Sequence, residues 1–346
     1  MRIAHLFWAL GNGGVENMMI EIANQQAVNN EVAIFIINNK IDILPYNRIS
    51  PKCIVYKIGR NPSSRALLPI IKINYLMMKF HPQIIHSHFY GVIKCVFYPF
   101  ALKVRTIHNT RNNCSEYYKF KKLFSISKCV YDYTKKQGFE STVVLNGIRT
   151  DKFKTSPLLP FHDNLFHFVQ VSRLEFGQKG QDILIKAIAL LKNRGINNFR
   201  IHFVGNGPSH DKLIELSKSS GVEENVIIEG NKSQDWIYNN LCNFHLCIQP
   251  SRYEGFGLTV VEAMAAKVPL LVSDIEGPLE IIDHGKLGLT FKSEDYFDLS
   301  NKLEFFIKKG YKRKILDMAY EHACNYYDIT KTAESYELEY KKLLNN

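Results

Sequence analysis

Short β-rich runs alternate with helical patterns from one end of the chain to the other. This alternation predicts parallel β-sheets with helices packed on both faces. In the first half of the chain the predicted strands are residues 3–9, 32–37, 54–58, 84–88, 104–108, 123–127 and 142–145. In the second half they are residues 166–171, 200–204, 226–229, 245–249, 270–272 and 289–291.

The length of 346 residues exceeds that of most single domains, so two domains are expected. Between the strands, helical patterns follow Gly14 and cover residues 64–80, 90–102, 129–137 and 330–344. Residues 155–160 are rich in turn formers and have the composition of a linker. The sequence therefore predicts an α/β protein with two doubly wound domains, whose ligands bind at the carboxyl ends of the strands.

Charge is distributed unevenly along the chain. Residues 1–150 hold 20 Lys and Arg against 7 Asp and Glu, whereas residues 151–346 hold 24 against 26. The basic first half has three interpretations: nucleic-acid binding, for which no motif is present, a solvated basic surface, or contact with an anionic bilayer or a diphosphate-bearing lipid. We favour the last, because residues 117–124 interleave aromatic and basic side chains as interfacial segments do.

Cysteine usage and hydropathy indicate the compartment. The seven cysteines are scattered and contain no Cys-x-x-Cys pair, which favours reduced thiols over disulfides or a zinc site. The apolar stretches at residues 2–10 and 92–102 are too short to span a membrane. We expect a cytoplasmic protein, with possible peripheral contact on the inner face of the membrane.

Residues 251–274, SRYEGFGLTVVEAMAAKVPLLVSD, carry the most chemistry. Gly255 and Gly257 flank Phe256 and allow backbone N–H groups to approach a ligand where a helix begins at about Leu258. In the loop, the carboxylate of Glu254 can accept hydrogen bonds from sugar hydroxyls. Glu262 lies just over one turn into the helix, where it suits a ribose diol. A solvated face would be the ordinary interpretation of two such glutamates, but the Gly-Phe-Gly turn and the preceding apolar strand favour a sugar-nucleotide site.

Three other strand ends carry candidate residues. The loop from Gly11 to Glu16 can offer amides to a diphosphate, but it lacks the full Gly-x-Gly-x-x-Gly spacing of nicotinamide enzymes. Arg173 and Lys179 flank a glycine-containing loop and can converge on a pyrophosphate, although the ordinary interpretation is a pair of solvated cations. The turns at Asn146-Gly147 and Gly205-Asn-Gly-Pro could be purely architectural.

Histidines also end two of the predicted strands. His108 ends the strand 104–108, a place where a histidine is often only a satisfied core or turn residue. His86 and His88 point to one face of their strand and could form a metal pair. Because no nearby carboxylate or cysteine completes a site, we interpret them as wall or structural residues and predict no metal.

The element EGFGLTVVE, from Glu254 to Glu262, resembles the Glu-x7-Glu signature of the retaining, nucleotide-sugar-dependent glycosyltransferases of family four. The resemblance runs along nearly the whole chain. It implies the GT-B fold, with two Rossmann-like domains facing each other across a cleft. Residues 1–155 would form the acceptor-side domain and residues 161–328 the nucleotide-sugar-binding domain, with a terminal helix in residues 329–346 crossing back onto the first.

The resemblance also implies roles in the second domain. Arg173 and Lys179 match the family's diphosphate clamp, and with Glu254 they would form the catalytic group. Gly205 lies in a turn near the nucleotide base. Donor binding would further involve Gly255, Phe256, Gly257, Leu258 and Glu262.

In the first domain, the family has a histidine at the position of His108 that touches the donor sugar near the reacting carbon, which makes His108 a catalytic candidate. Gly13 and Gly14 match a donor-binding loop, and Glu16 lies on its acceptor side. Asn109 and Arg149 stand where the family commonly has aspartates. The departure at Asn109 concerns only polarity around the site.

The function implied is retaining, metal-independent transfer of a hexose-type sugar without a cofactor. The donor would be a nucleotide diphosphate sugar, with UDP favoured and GDP possible. The acceptor would be a glycan or a polyprenyl-diphosphate-linked glycan in bacterial surface polysaccharide assembly. Two alternatives remain: a GT-B-fold nucleotide-sugar epimerase, and a catalytically silent binding subunit.

Overall fold

The protein contains two compact units, each built around a parallel sheet. The computed structural model describes residues 1–11, 13–62, 64–111, 113–155 and 165–345. One unit comprises Met1–Arg149 and Tyr327–Asn346, and the other comprises Thr150–Tyr326. Of the predicted linker at residues 155–160, only Thr155 lies within the described residues.

The first unit is a seven-stranded parallel sheet in the order β3-β2-β1-β4-β5-β6-β7. Its strands are β1 (Arg2–Phe7), β2 (Glu31–Asn38), β3 (Cys53–Arg60), β4 (Ile84–Ser87), β5 (Leu102–Ile107), β6 (Lys122–Ser125) and β7 (Thr142–Val143). Its first helices are α1 (Gly14–Gln26), α2 (Ile43–Tyr46), α3 (Leu68–Phe80) and α4 (Lys128–Lys136). The strand order reverses between β1 and β4, which is where a doubly wound sheet opens a crevice.

The second unit is a six-stranded parallel sheet in the order β10-β9-β8-β11-β12-β13. Its strands are β8 (Phe166–Val171), β9 (Phe199–Val204), β10 (Val226–Gly230), β11 (Leu246–Gln249), β12 (Leu270–Ser273) and β13 (Leu289–Phe291). Its helices are α5 (Phe176–Lys179), α6 (Gln181–Asn193), α7 (His210–Ser219), α8 (Gln234–Asn240), α9 (Leu258–Ala265), α10 (Glu276–Ile281), α11 (Tyr296–Lys309) and α12 (Arg313–Tyr326). Here the order reverses between β8 and β11.

All predicted strands are confirmed, with ends shifted by at most two residues. The strands were predictable because parallel strands buried on both faces form continuous apolar runs, as in β2 and its burial pattern. The cores are correspondingly apolar. In the second unit the core joins Phe168, Phe199 and Phe203 of the sheet to Leu184 and Ile188 of α6.

The last helix, α13 (Ile329–Asn345), belongs to the first unit and packs against α1. Ile148 and Asp328 form a parallel bridge where the chain returns to this unit. Tyr336 and Tyr340 of α13 are completely buried. This helix therefore forms part of the core of the first unit.

The predicted helix at residues 90–102 is wrong. Only Val92–Cys95 forms a short 3₁₀ helix there, after Gly91 with φ 81°. In the segment that follows, Val96 and Tyr98 are buried whereas Phe97 and Phe100 are exposed. The apolar side chains therefore alternate between two faces, and no helical stripe forms.

The predicted interfacial role of residues 117–124 is also wrong for most of its aromatic side chains. Tyr117, Phe120 and Phe124 are buried, and only Tyr118 is exposed. The guanidinium carbon of Arg105 lies 5.3 Å from the ring centroid of Tyr117 and 5.8 Å from that of Phe120. Two of the segment's aromatic rings therefore form a cation–π cluster with a buried arginine, whereas Lys119 and Lys121 of the segment are exposed.

Among the described residues, no helix combines the length and the apolar character that a membrane crossing would need. No disulfide bond joins any of the seven cysteines, which all lie among the described residues. Burial raises the pKa of Cys53 to about 11 and that of Cys247 to about 12. These two thiols therefore remain protonated at neutral pH.

We predict that Glu116→Gln destabilises the first unit by about 3–5 kcal/mol, because it leaves the buried charge of Arg105 without its carboxylate partner. The Arg105 guanidinium lies 3.4 Å from Glu116, and both side chains are almost fully buried. Urea unfolding measures the change. The matched control is Glu140→Gln, which removes an exposed carboxylate of the same unit and should stay within about 0.5 kcal/mol of wild type.

Candidate active site

An ion pair joins two loops at the switch point of the second sheet. Lys179 ends α5 in the loop after β8, and Glu254 lies in the loop after β11. Lys179 Nζ donates to Glu254 Oε2 at 2.5 Å, and the two side chains are 18% and 15% exposed. Two residues from separate sequence motifs thus meet where the topology predicts a ligand crevice.

The loops can meet because two glycines remove steric obstacles. Gly180 has φ +66°, and a Cβ there would overlap the carbonyl oxygen of Pro250 at the end of the β11 strand. Gly205 has φ +139°, and a Cβ there would overlap the carbonyl oxygen of Ser172. The loop after β8 therefore packs backbone to backbone against its neighbours on both sides.

Arg252 holds the same loops together, and the sequence motifs did not reveal it. Its guanidinium forms a bidentate pair with Asp182 at 2.8 Å for both nitrogens, and its Nε lies 3.0 Å from Glu294. It also donates to the carbonyl oxygen of Phe176. The hydrogen bonds and charges of Asp182 and then Glu294 raise the pKa of Arg252. Arg252 thus fixes the ends of α5 and α6 against the loop that carries Glu254.

Arg173 is placed differently from Lys179. Its side chain is 67% exposed, and its guanidinium lies 3.6 Å from Glu175. The carbonyl oxygen of Arg173 accepts a hydrogen bond from the buried amide of Gln181 at 2.9 Å. The backbone of this residue is therefore fixed, while its charge lies at the loop surface.

The Gly-Phe-Gly turn leads into α9 as predicted. Gly257 caps the helix with φ 116°, and α9 begins at Leu258. Phe256 is 3% exposed, so its ring anchors the turn in the core. Thr259 in the first turn of α9 donates to the carbonyl oxygen of Val171 at 3.1 Å. The first turn of this helix is thus tied to the end of β8.

Glu262 lies in the second turn of α9, where its Oε1 accepts a hydrogen bond from Gln234 Nε2 at 2.9 Å. Gln234 is the first residue of α8, which is capped by the Ser233 hydroxyl. Around these loops, four buried oxygen atoms have no partner among the described residues: Gln170 Oε1, Gln181 Oε1, Gln249 Oε1 and Ser251 Oγ. Unpaired buried acceptors are costly, so this region has hydrogen-bonding capacity for a ligand or water.

In the first unit, Gly13 caps α1, which begins at Gly14. The carboxylate of Glu16 folds back over Gly13, where a Cβ would overlap Glu16 Oε2. Burial raises the pKa of Glu16, and a hydrogen bond from its own backbone N–H opposes this. Asn12 of this loop lies outside the described residues.

His108 follows β5 and takes part in a stack of four histidines. His88 Nδ1 and His108 Nε2 lie 3.2 Å apart, and the rings of His86 and His88 stack at 4.0 Å between centroids. His5 of β1 completes the stack at 5.4 Å from His86. His5 was missed because its contact with His86 depends on β1 and β4 being neighbours, which only the sheet order reveals.

The predicted absence of a third metal ligand near His86 and His88 needs correction. His5, His86 and His88 each place a ring nitrogen within 4.8 Å of the others. However, both ring nitrogens of His86 are hydrogen-bonded, to Tyr340 at 2.6 Å and to Thr106 at 2.8 Å. Metal binding would require one of these bonds to break, so the geometry favours a structural role.

Burial keeps the stack uncharged. It lowers the pKa of His5 to about 4 and, together with the charge of Arg105, that of His108 to about 3. Burial and then the neighbouring histidines hold the pKa values of His86 and His88 well below the usual range. At neutral pH each ring therefore has one N–H donor and one acceptor nitrogen.

Comparisons with known proteins find a matching family model and related proteins. Residues 151–322 match the family model described as glycosyl transferases group 1. Protein CapJ of Staphylococcus aureus is 33% identical over 181 residues, which cover 49% of this chain but only 43% of CapJ. This chain thus spans less than half of that relative's length. Lipopolysaccharide 1,6-galactosyltransferase of Escherichia coli K12 is 24% identical over 322 residues, covering 85% of this chain and 86% of that protein.

The fold is shared with solved structures. The Anabaena protein Alr3699/HepE in complex with UDP and glucose superposes with a TM-score of 0.82 at 20% identity, covering 98% of this chain and 99% of that one. The chain therefore has the GT-B fold.

We predict that the stability of the first unit falls between pH 6.5 and about 4 because His5 stays neutral in the native protein. Its pKa is about 4 when folded and 6.5 in the unfolded chain, so the unfolded state binds an extra proton in this window. The contribution of His5 is about 3 kcal/mol. Urea unfolding across this pH range should give a shallower pH slope for His5→Asn than for wild type.

The matched control is His284→Asn. His284 is exposed and lies in the left-handed region with φ 52°, which asparagine tolerates. The pH slope of the first unit should be the same in His284→Asn as in wild type, because His284 belongs to the second unit. An identical slope for wild type and His5→Asn would show that His5 is not buried uncharged.

Proposed function

Because residues 151–322 match the model of the group 1 glycosyl transferases, we propose that the protein transfers a hexose from a nucleotide diphosphate sugar with retention of configuration. The observation that carries this proposal is the Lys179–Glu254 pair at the β8/β11 switch point. It combines a cation for a diphosphate with a carboxylate for sugar hydroxyls. The Glu-x7-Glu spacing then adds Glu262 on the following helix.

Charge neutralisation is the central step of the proposed mechanism. The departing nucleoside diphosphate gains negative charge, and Lys179, Arg173 and the first amides of α9 supply positive charge to it. Binding of the diphosphate would compete with Glu254 for the Lys179 ammonium. The carboxylate of Glu254 would then be available to accept hydrogen bonds from the sugar. Because these cations supply the neutralisation, we propose that transfer needs no divalent metal.

The remaining residues have positioning roles in the proposal. Glu262 accepts hydrogen bonds from the ribose hydroxyls, and the turn at Gly205 lies beside the base. His108 orients the donor as a neutral imidazole, since burial and the charge of Arg105 lower its pKa to about 3. The bond between the anomeric carbon and the diphosphate breaks, and the acceptor oxygen attacks that carbon from the same face, which retains the configuration without a protein nucleophile. The departing phosphate oxygen takes the proton of the acceptor hydroxyl. Gly13, Gly14 and Glu16 serve the donor phosphates and the acceptor.

We favour a UDP-sugar as donor, with a GDP-sugar possible. The similar Anabaena protein was solved with UDP and glucose, and a curated relative is a lipopolysaccharide galactosyltransferase. The proposed acceptor is a glycan or a polyprenyl-diphosphate-linked glycan in surface polysaccharide assembly. The basic first half of the chain, with 20 Lys and Arg against 7 Asp and Glu in residues 1–150, supports an anionic, membrane-associated acceptor.

A thermal-shift screen with UDP-, GDP-, ADP- and dTDP-sugars tests the donor assignment, because a ligand that binds the native state raises the melting temperature. Stabilisation by one nucleotide class supports the proposal. Stabilisation by dinucleotides alone, or by no nucleotide sugar, contradicts it and favours a silent binding subunit. Conversion of the sugar without an acceptor would identify an epimerase.

We predict that Lys179→Ala lowers kcat by about 10²–10³-fold, because it removes charge stabilisation of the leaving diphosphate. Turnover is measured with the donor found in the screen. Lys212→Ala, which removes an exposed lysine on α7, should leave kcat unchanged. Wild-type turnover in Lys179→Ala would exclude the proposed mechanism.

We predict that Glu262→Gln weakens binding of UDP by about 10-fold, because a charged acceptor for the ribose hydroxyls is lost. The same substitution should not weaken binding of 2′,3′-dideoxy-UDP, which lacks both hydroxyls. Isothermal titration of wild type and of Glu262→Gln with both nucleotides gives the coupling between Glu262 and the ribose hydroxyls. Equal losses for the two nucleotides would place Glu262 away from the ribose.

A further inference from the structure

Helix α3 has an apolar stripe on its outer face. Leu68, Ile71, Tyr75 and Met78 follow the spacing of one helical face and are 77%, 62%, 65% and 60% exposed. The opposite face of the helix is already packed, since Ile73, Met77 and Phe80 are buried. The helix therefore has two apolar faces, and only one of them is used by the core.

The segment after the 3₁₀ helix Val92–Cys95 extends this stripe. Phe97 and Phe100 are 68% and 80% exposed. Asn74 of α3 holds the segment in place, because its Oδ1 accepts from the Phe97 N–H at 2.7 Å and its Nδ2 donates to the Cys95 carbonyl at 2.9 Å. The two phenylalanines and the four α3 side chains form what we call the α3 patch. Exposed apolar groups of this number usually mark an interaction site.

The chain segment that contains the α3 patch carries charge of one sign. Residues 43–115 contain no Asp or Glu, but they contain eleven Lys and Arg. Lys72 and Lys79 lie on α3 itself, and both are exposed. Lys94 lies on the adjoining 3₁₀ helix and is 52% exposed, and its ammonium pairs with the buried carboxylate of Glu116 at 3.3 Å. An apolar patch within an acid-free basic segment matches the chemistry of an anionic bilayer, with apolar groups for the acyl region and cations for the headgroups.

We propose that the α3 patch docks the protein on an anionic lipid surface. A second copy of this chain fits less well, because a symmetric pairing through this face would bring two basic segments together. Nucleic acid also fits less well, since leucine, isoleucine and methionine at the centre offer it no hydrogen bonds. This surface replaces residues 117–124 as the membrane-facing part of the first unit.

Docking rests on the proposed function only in that it brings the enzyme to a membrane-associated acceptor. Binding itself needs no donor, so vesicle sedimentation tests it separately from sugar transfer. The probes are vesicles of phosphatidylcholine alone and vesicles that also contain phosphatidylglycerol. Wild type should partition onto the anionic vesicles, and added salt should weaken this binding.

The double variant Ile71→Gln/Phe100→Gln should lose about 10-fold or more of its partition onto anionic vesicles. Lys79→Gln should lose about fivefold. The matched control is Phe297→Gln/Phe305→Gln, which removes two exposed phenylalanines of α11 that are 54% and 52% exposed. The control should bind like wild type. All variants change exposed side chains. Their melting temperature without ligand and their donor-induced thermal shift should therefore match those of wild type.

Three results would overturn the proposal: no binding of wild type to anionic vesicles, unchanged binding of the α3 double variant, or equal loss in the α11 control. A dimer in light scattering that the α3 double variant dissociates would identify a second copy as the occupant instead. Vesicle binding without any donor-induced shift would leave this surface assigned and contradict the transferase proposal alone.

Discussion

The second unit depends on the absence of side chains at Gly180 and Gly205. At both positions a Cβ would overlap a neighbouring carbonyl oxygen, so any other residue would push the loops apart. With the loops in backbone contact, the short side chain of Glu254 reaches the Lys179 ammonium across two strand ends. The Lys179–Glu254 ion pair is therefore a consequence of backbone packing. The ion pair between Arg252 and Asp182 reinforces this packing.

The first unit positions its candidate residue through polar contacts in the core. His108 contacts His88, His88 stacks on His86, and His86 is hydrogen-bonded to Tyr340 of α13. Buried polar groups stabilise a fold only when their partners are in place. The C-terminal helix thus helps to fix the ring of His108, although the two are more than 200 residues apart in sequence.

The sequence predicted the strands and the local motifs well, because both depend on neighbours in the chain. Apolar runs marked β2 and β8, and the Gly-Phe-Gly turn marked the start of α9. The errors have one physical cause. His5, Arg252 and the aromatic cluster around Arg105 take their roles from partners on other elements, and single-sequence patterns do not specify those partners. The segment at residues 90–102 failed similarly, since its apolar content fits either a helix or an extended chain with alternating burial.

Electrostatics act over different ranges in the two halves of the chain. Residues 151–346 hold 24 Lys and Arg against 26 Asp and Glu, so net charge does not attract an anionic donor to this half. Any attraction must come from local groups such as Lys179, which is largely buried and weakly screened. The acid-free segment at residues 43–115 acts differently, because its exposed cations sum into a diffuse positive field. Salt therefore screens the interactions of the first half far more than those of the loops around Lys179.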